Sequence, residues 1–590
     1  MSTEARLVLA VTLMIGVIYG TSILFPPPPA SETPAEAAPP AAPGLPDLGD
    51  SVAPRTGGLA APAEGTDPVE PAAPPASVEE REIVVEGPLY SYALTTVGAR
   101  LVSATLPSFD DLAHEGRPPV QLIPEGTSAL GRRLVIGADT LDLSGLAFST
   151  TADDRVELEE GGAPASVVFS WRNPAGDFAV EVAYTFDPAS YLIGVDTRLT
   201  GVDRPLLLTS LGEGISYTEA DSAQEARTMA YVTNRVDGGI RQQQLQKVEE
   251  STLENGPFLW TAIKSKYFVL GLLPGSGETE TLAAGDRAVL GGLFITPREG
   301  SQRARVEGAI EADASGRIEY RVYVGPQEYS RMKALGDEFQ EVNPYGWSVF
   351  RMIIRPFVGI IVAILHWAHT TLSIGYGWVL ILFGFALRIL LWPLNAKAMR
   401  AQIRNMAAQP LVKELQTRYK DDPKKMQEEM MKLYKEHGFN PVAGCLPMLL
   451  PWPVLIALFF VFQNAIELRG VSFWWLPDLS AKDPLFILPV LLALSMFLIQ
   501  WITFRSMPDN NPQMKMMMWF MPIFLGVIFL NFPSGLNLYY ASMNVATLPQ
   551  QILIANERKK VKPLKPASAS GGTGKKKKGG SARRKASAGD

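Results

Sequence analysis

Five apolar runs, each long enough to cross a bilayer, crowd the last third of this chain at Gly377–Leu394, Val442–Ile466, Pro484–Phe504, Met516–Phe532 and Leu536–Ala555. A helix of about 17–25 residues spans the hydrocarbon layer with every backbone N–H and C=O paired inside itself, which no irregular segment can do in lipid. A sixth run, Leu7–Phe25, follows Arg6. It is long for the apolar part of a cleaved signal peptide and no A-x-A-like site closes it, so an uncleaved anchor is expected.

Charge sets the direction of these runs. Lys397, Arg400, Arg404, Lys413, Arg418, Lys420, Lys424, Lys425, Lys432 and Lys435 all fall between the first and second of the five, which places that segment inside. Trp347–Leu372 then cannot span, because one more crossing would put those cations outside. Its apolar centre, Pro356–Ala368, has the length of an interfacial helix, and residues 347–372 are expected to lie along the outer surface. The runs alternate inward and outward from Gly377, the last two joined by the turn Pro533–Gly535. Six transmembrane helices with both termini inside result. From Asn556 onward twelve Lys/Arg stand against Glu557 and Asp590, a net of +10, while the formal charge of the whole chain is −6. A basic tail, residues 556–590, on an acidic body agrees with a cytoplasmic C-terminus. The single cysteine, Cys445, excludes an intrachain disulfide and reads as a packing residue within its span.

Between anchor and spans the texture changes twice. Residues 26–80 are rich in Ala and Pro and cannot bury a core, so they read as an extended linker. Residues 81–326 hold short runs with period-two alternation, such as Glu82–Glu86, Ala165–Trp171, Phe178–Tyr184 and Arg317–Tyr323, broken by Gly, Pro and Asp. That pattern predicts one large all-β sandwich. Residues 327–346 would connect it to the membrane, with helix over Gln327–Phe339. Residues 395–440 combine helical periodicity with many charges and the interruption Asp421-Asp422-Pro423, which predicts a helical hairpin inside the cell.

The candidate site follows from polar residues in apolar runs. Arg388 lies in the middle of Gly377–Leu394, where a charge costs about 2.5–3.5 kcal/mol on insertion scales unless it faces water or a partner. Snorkelling is the alternative, but Asn395, toward the inner surface, is seven residues on, roughly 10 Å away. In the final run Asn537, Tyr540, Asn544, Thr547 and Gln551 recur at spacings of 3, 4, 3 and 4, which puts them on one helical face. Interhelical hydrogen bonding could explain any one of them; five in a stripe favour a hydrated groove. Gln500 lies at similar depth on a neighbouring span, and Gly384 shares a face with Arg388. Gln463 and Asn464 fall near the outer end of theirs. Lys559, Lys560, Lys575, Lys576, Lys577, Lys578, Arg583 and Arg584 are candidates for contact with nucleic-acid phosphate or anionic lipid.

Other chemistry finds little support. Gly571–Lys575 lacks the spacing of a phosphate loop, and His366 with His369 has no accompanying carboxylate for a metal. No nucleotide site, catalytic triad or cofactor box is visible, and neither enzyme activity nor a cofactor is expected. A solute or ion transporter could use the same polar cavity, though no internal repeat is visible. A sugar-processing enzyme in the sandwich would need convergent acids and histidines, and His114 is the only histidine there.

Certain motifs go further. Arg388 with Trp392-Pro393-Leu394, then Asn440-Pro-Val-Ala-Gly-Cys-Leu-Pro447, Phe520-Met-Pro522, Asn531-Phe-Pro-Ser-Gly535, Leu538-Tyr-Tyr540 and Gln550-Gln551 resemble the YidC/Oxa family of membrane protein insertases over Tyr345–Arg558. Glu82–Glu86 and Tyr323–Pro326 are similar to that family's large periplasmic domain. The resemblance implies a bacterial, Gram-negative inner-membrane protein whose five conserved spans enclose a groove open to cytoplasm and lipid and closed outward, with an arginine at the place of Arg388. It also implies nascent membrane proteins as clients, ribosome docking on the cytoplasmic elements, and work alone or beside the Sec translocon.

Overall fold

The computed structural model describes residues 80–560, apart from residues 138, 203–204, 277–287, 345–350, 408, 421, 437–451 and 507–511. The anchor at residues 1–25, nearly all of the linker, Cys445 with its surrounding motif, and the tail beyond Lys560 lie outside the described residues.

Residues 82–326 form two sheets facing one another. Strands Pro119–Gln121, Arg100–Asp110, Ser91–Thr95, Glu82–Glu86 and Arg155–Glu157 make the smaller sheet in that order. The larger has fourteen described strands, and its middle runs Thr252–Lys264, Phe268–Pro274, Arg317–Pro326, Leu192–Thr200, Ala179–Phe186, Ala165–Arg172. Period-two patterning does the work expected of it. In Ala179–Phe186, Val180, Val182, Tyr184 and Phe186 are buried while Glu181 and Thr185 face solvent. Phe268–Pro274 is buried at every position, as a central strand covered on both faces must be. A short helix α1, Ser222–Thr228, is capped by Asp221, whose carboxylate accepts from the Gln224 N–H at 2.9 Å.

The connector departs from the continuous helix expected over Gln327–Phe339. Helix α2 covers only Tyr329–Ala334, and a 3₁₀ turn follows at Phe339–Val342. Between them Gly336, Asp337 and Glu338 all take positive φ, at 81°, 46° and 57°. Packing explains the break. Phe339 is fully buried, edge-on to Trp260 at 5.2 Å and Tyr323 at 5.8 Å. The Asp337 carbonyl accepts from Trp260 Nε1 and Asn234 Nδ2, both at 2.8 Å. Burying one aromatic and pairing one carbonyl outweighs a few residues of helix propensity. Lys264, buried and pushed down to about 8 by desolvation, donates to Asn343 Oδ1 at 2.9 Å and ties the connector's end to the sandwich.

Helix α3, Arg351–Leu372, buries Ile354, Val358, Ile361 and Leu365, a single face, mainly against helix α7, Trp452–Asn464. Ile360, Ile364 and Trp367 on its other side are exposed. Arg355 pairs with Glu338 at 2.9 Å and Glu341 at 3.1 Å, holding this helix to the connector. Helix α4 runs unbroken over Tyr376–Ala407, 32 residues and about 48 Å. The first arm of the expected hairpin is thus a continuation of the apolar run. Helices α5, Gln409–Arg418, and α6, Pro423–Glu436, complete it. Asp422 caps α6 by accepting from the Lys425 N–H at 3.1 Å, with Pro423 at the first helical position.

Helix α8 covers Ile487–Arg505, α9 Pro512–Phe529 and α10 Ser534–Lys560. Among the described residues two helical stretches, Tyr376–Lys397 and Ile487–Arg505, are long and apolar enough to cross a membrane, and Val454–Asn464 and Met518–Phe529 are shorter apolar helices. Helix α10 packs on both α4 and α8 and so forms the centre of the bundle. Its first amides are satisfied from outside the helix: Ser534 N donates to Ala481 O at 2.7 Å and Gly535 N to Leu479 O at 2.8 Å.

Candidate functional site

Helix α10 carries the polar stripe between its two neighbours. On the α4 side, Gly384 lets the backbones approach: a Cβ there would sit 3.2 Å from Tyr539 O and 3.4 Å from Met543 N. One turn on, the Arg388 guanidinium donates to Gln550 Oε1 at 2.5 Å. Gln550 Nε2 donates in turn to Trp392 O at 3.1 Å, the carbonyl of the residue before Pro393. Arg388 Nε is buried with no acceptor among the described residues, and no described carboxylate forms an ion pair with this side chain.

On the α8 side, Asn544 Nδ2 donates to Ser495 Oγ at 3.0 Å, and Thr503 Oγ1 lies 3.5 Å from Gln551 Oε1. Asn537 is fully buried near the start of α10; its Nδ2 donates to Phe529 O at 3.1 Å and its Oδ1 lacks a partner among the described residues. Thr547 Oγ1 bonds back to Met543 O at 2.7 Å within the helix. Tyr540 sits edge-on to Phe529 with ring centres 5.5 Å apart.

The structure therefore spreads the stripe over several neighbours: Asn537 and Tyr540 meet Phe529 at the end of α9, and Thr547 bonds within α10 itself. Asn544 and Gln551 meet α8, whereas Arg388 meets α10 through Gln550, about 100° round the helix from Gln551. Gln500 is half-buried and makes none of these hydrogen bonds. It stands about 140° round α8 from Ser495 and about 60° from Thr503, at the edge of the contact face. Gln550, Ser495 and Thr503 were not singled out by the stripe. Gln550 was signalled only by the family-like pair Gln550-Gln551, and a hydroxyl in an apolar run carries no mark of what it will face. Lys559 and Lys560 end α10 exposed to solvent, and Arg400 of α4 holds Glu557 beside them with two bonds of 2.9 and 3.0 Å. The other basic candidates lie outside the described residues. His369 Nδ1 lies 2.8 Å from Ile374 O, and its ring stacks on Tyr376.

A bundle with an arginine and amides on its internal seams and helices long and apolar enough to cross a membrane, attached to a large β-sandwich, has the architecture of an integral membrane protein. Residues 367–562 match the family described as 60Kd inner membrane protein, and residues 82–360 match the YidC periplasmic domain. The membrane protein insertase YidC of Chlorobaculum parvum is 31% identical over 535 residues, which are 85% of this chain and 87% of that one. That of Geobacter metallireducens is 30% identical over 556 residues, covering 93% and 98%. Among solved structures, an active YidC insertase with its first transmembrane domain resolved aligns over 80% of this chain and 92% of its own, at 18% identity and a TM-score of 0.30. The chain belongs to the YidC family of membrane protein insertases. It inserts newly made membrane proteins, and the sandwich is its periplasmic domain.

Proposed function

We propose that the seams of α10 with α4 and α8 line the groove through which a client's polar segment crosses, and that Arg388 attracts the negative charge on that segment. The observation that carries this reading is the arginine's company: one neutral acceptor, no described carboxylate, and a buried Nε without an acceptor. A cation held so deep is unbalanced until an anion arrives, and burying it costs less once one does. Asn544, Gln551, Asn537, Thr547, Tyr540 and Gln500 reduce the desolvation cost that a crossing polar segment would otherwise carry. The client's apolar segment then leaves sideways into lipid, releasing about 25 cal/mol for each Å² of apolar surface removed from water.

In this reading the protein lies in the Gram-negative inner membrane with six transmembrane helices and both termini in the cytoplasm. Residues 347–372 rest on the outer surface, the five-helix core covers 377–555 with its cytoplasmic hairpin at 395–440, and the tail at 556–590 meets ribosomal RNA or anionic lipid. Ribosomes and the Sec translocon are its working partners. Reconstitution in liposomes with a single-span client bearing an acidic outer segment tests the groove. Arg388→Ala is expected to lower insertion about tenfold, the scale of one charged hydrogen bond. Arg388→Glu paired with a basic client segment should recover it. Unchanged insertion by Arg388→Ala overturns the role of the charge.

A further inference from the structure

The loop between α7 and α8 carries an arginine that the insertion chemistry does not use. Arg469 is almost wholly buried, 3% exposed at its side chain, and every hydrogen bond of its guanidinium goes to the periplasmic domain. Its Nε donates to Glu219 Oε1 at 2.6 Å, Nη1 to Asp110 O at 2.7 Å and Nη2 to Thr218 O at 3.0 Å, while the guanidinium lies over the Phe268 ring at 5.2 Å. Ile466, three residues earlier, is buried in the sandwich's own core.

The same loop closes one end of the bundle. Leu468, Phe473, Leu476 and Leu479 are buried with Tyr376 and Leu380 of α4 and Leu536 of α10. Its shape is held from within: Asp478 Oδ1 accepts from Gly470 N at 3.0 Å and Ser480 N at 2.7 Å, and Ser534 Oγ of α10 donates to Asp478 O at 2.9 Å. Because the loop touches the periplasmic domain, the end it covers is the periplasmic end.

We infer that Arg469 is a positioning residue: it clamps this apolar plug to the periplasmic domain and so keeps the groove shut on the periplasmic side. The inference rests on the groove proposed above. The energetic logic is that of a desolvated arginine with a carboxylate and two carbonyls. Each partner is costly to leave alone, so plug and domain hold one geometry.

The test uses the full chain in sealed vesicles, with Cys445→Ala and a single cysteine introduced as Tyr540→Cys, labelled by a membrane-impermeant maleimide from either face. With Arg469 intact, labelling is expected from the cytoplasmic face alone. Arg469→Glu should raise the labelling rate from the periplasmic face about tenfold or more. Adding Glu219→Arg should restore protection by reversing the pair, which a general loss of structure could not do. If Arg469→Glu does not fold, Arg469→Gln takes its place, since it keeps amide donors for the two carbonyls and loses the charge. A periplasmic rate that stays at its starting value in the folded variant overturns the clamp. Absence of cytoplasmic labelling with Arg469 intact would instead overturn the groove, and the periplasmic measurement would still decide the clamp.

Discussion

Arg388 and Gln550 are joined by a 2.5 Å hydrogen bond across the seam of α4 and α10, and the same amide reaches on to Trp392 O at 3.1 Å. Gln550 thereby orients the guanidinium and occupies it with a neutral acceptor. Gln550→Glu would replace that acceptor with a permanent anion and compete with an acidic client. Insertion of such a client is expected to fall by about tenfold, the effect of an added charged partner. Gln550→Leu should change it less. Insertion assays with acidic and neutral client segments compare the two.

The approach at Gly384 makes a second prediction. A Cβ there meets backbone atoms of Tyr539 and Met543, which cannot move without shifting α10. Gly384→Val should cost about 1–3 kcal/mol by overpacking, and Gly384→Ala less. Thermal unfolding of the full chain in detergent reads the difference.

In the central strand Phe268–Pro274, a methyl group at Gly271 would overlap the connector's Phe339 ring, which is wedged into the sandwich. Gly271→Ala should expel that ring and destabilise the connector by about 1–3 kcal/mol. Hydrogen exchange at Phe339–Val342 should rise more than exchange in the distant strand Ala165–Arg172.

Glu225 bears on pH dependence. Burial, with Glu219 beside it, pushes its carboxyl up to about 7, although the amides of Thr218 and Glu219 donate to it. The folded state then holds a proton that the unfolded state has released between about pH 4.5 and 7. Stability from this group is therefore full below that window and declines as pH rises through it. Across the window the loss is on the order of 3 kcal/mol. Exchange protection of residues 218–228 in the full chain, corrected for intrinsic rates, should be higher at the acidic end. Glu225→Gln should flatten the trend.

The basic tail gives a salt test. Truncation after Val561 removes all nine Lys/Arg beyond α10, so ribosome co-sedimentation should weaken and depend less steeply on salt. Affinity that keeps its salt slope after the cut would rule the tail out as the contact.

Apolar run length by itself determined that α4, α8, α9 and α10 would be helices, and period-two alternation that a β-domain would precede them. Both signals are local, a period or a run read within one element. The stripe from Asn537 to Gln551 was legible for the same reason, since a spacing of three and four fixes which face a residue takes. What lies opposite that face is not a property of the helix. Only tertiary packing decided that Arg388 would be met by Gln550 rather than Gln551, and that Ser495 and Thr503 would face Asn544 and Gln551. It likewise broke the connector at Gly336–Glu338 to bury Phe339, and joined Arg469 to Glu219 across 250 positions of sequence. Periodicity records angle along one chain segment, whereas desolvation energy depends on which distant atoms share the buried space, and that is settled only when the elements pack.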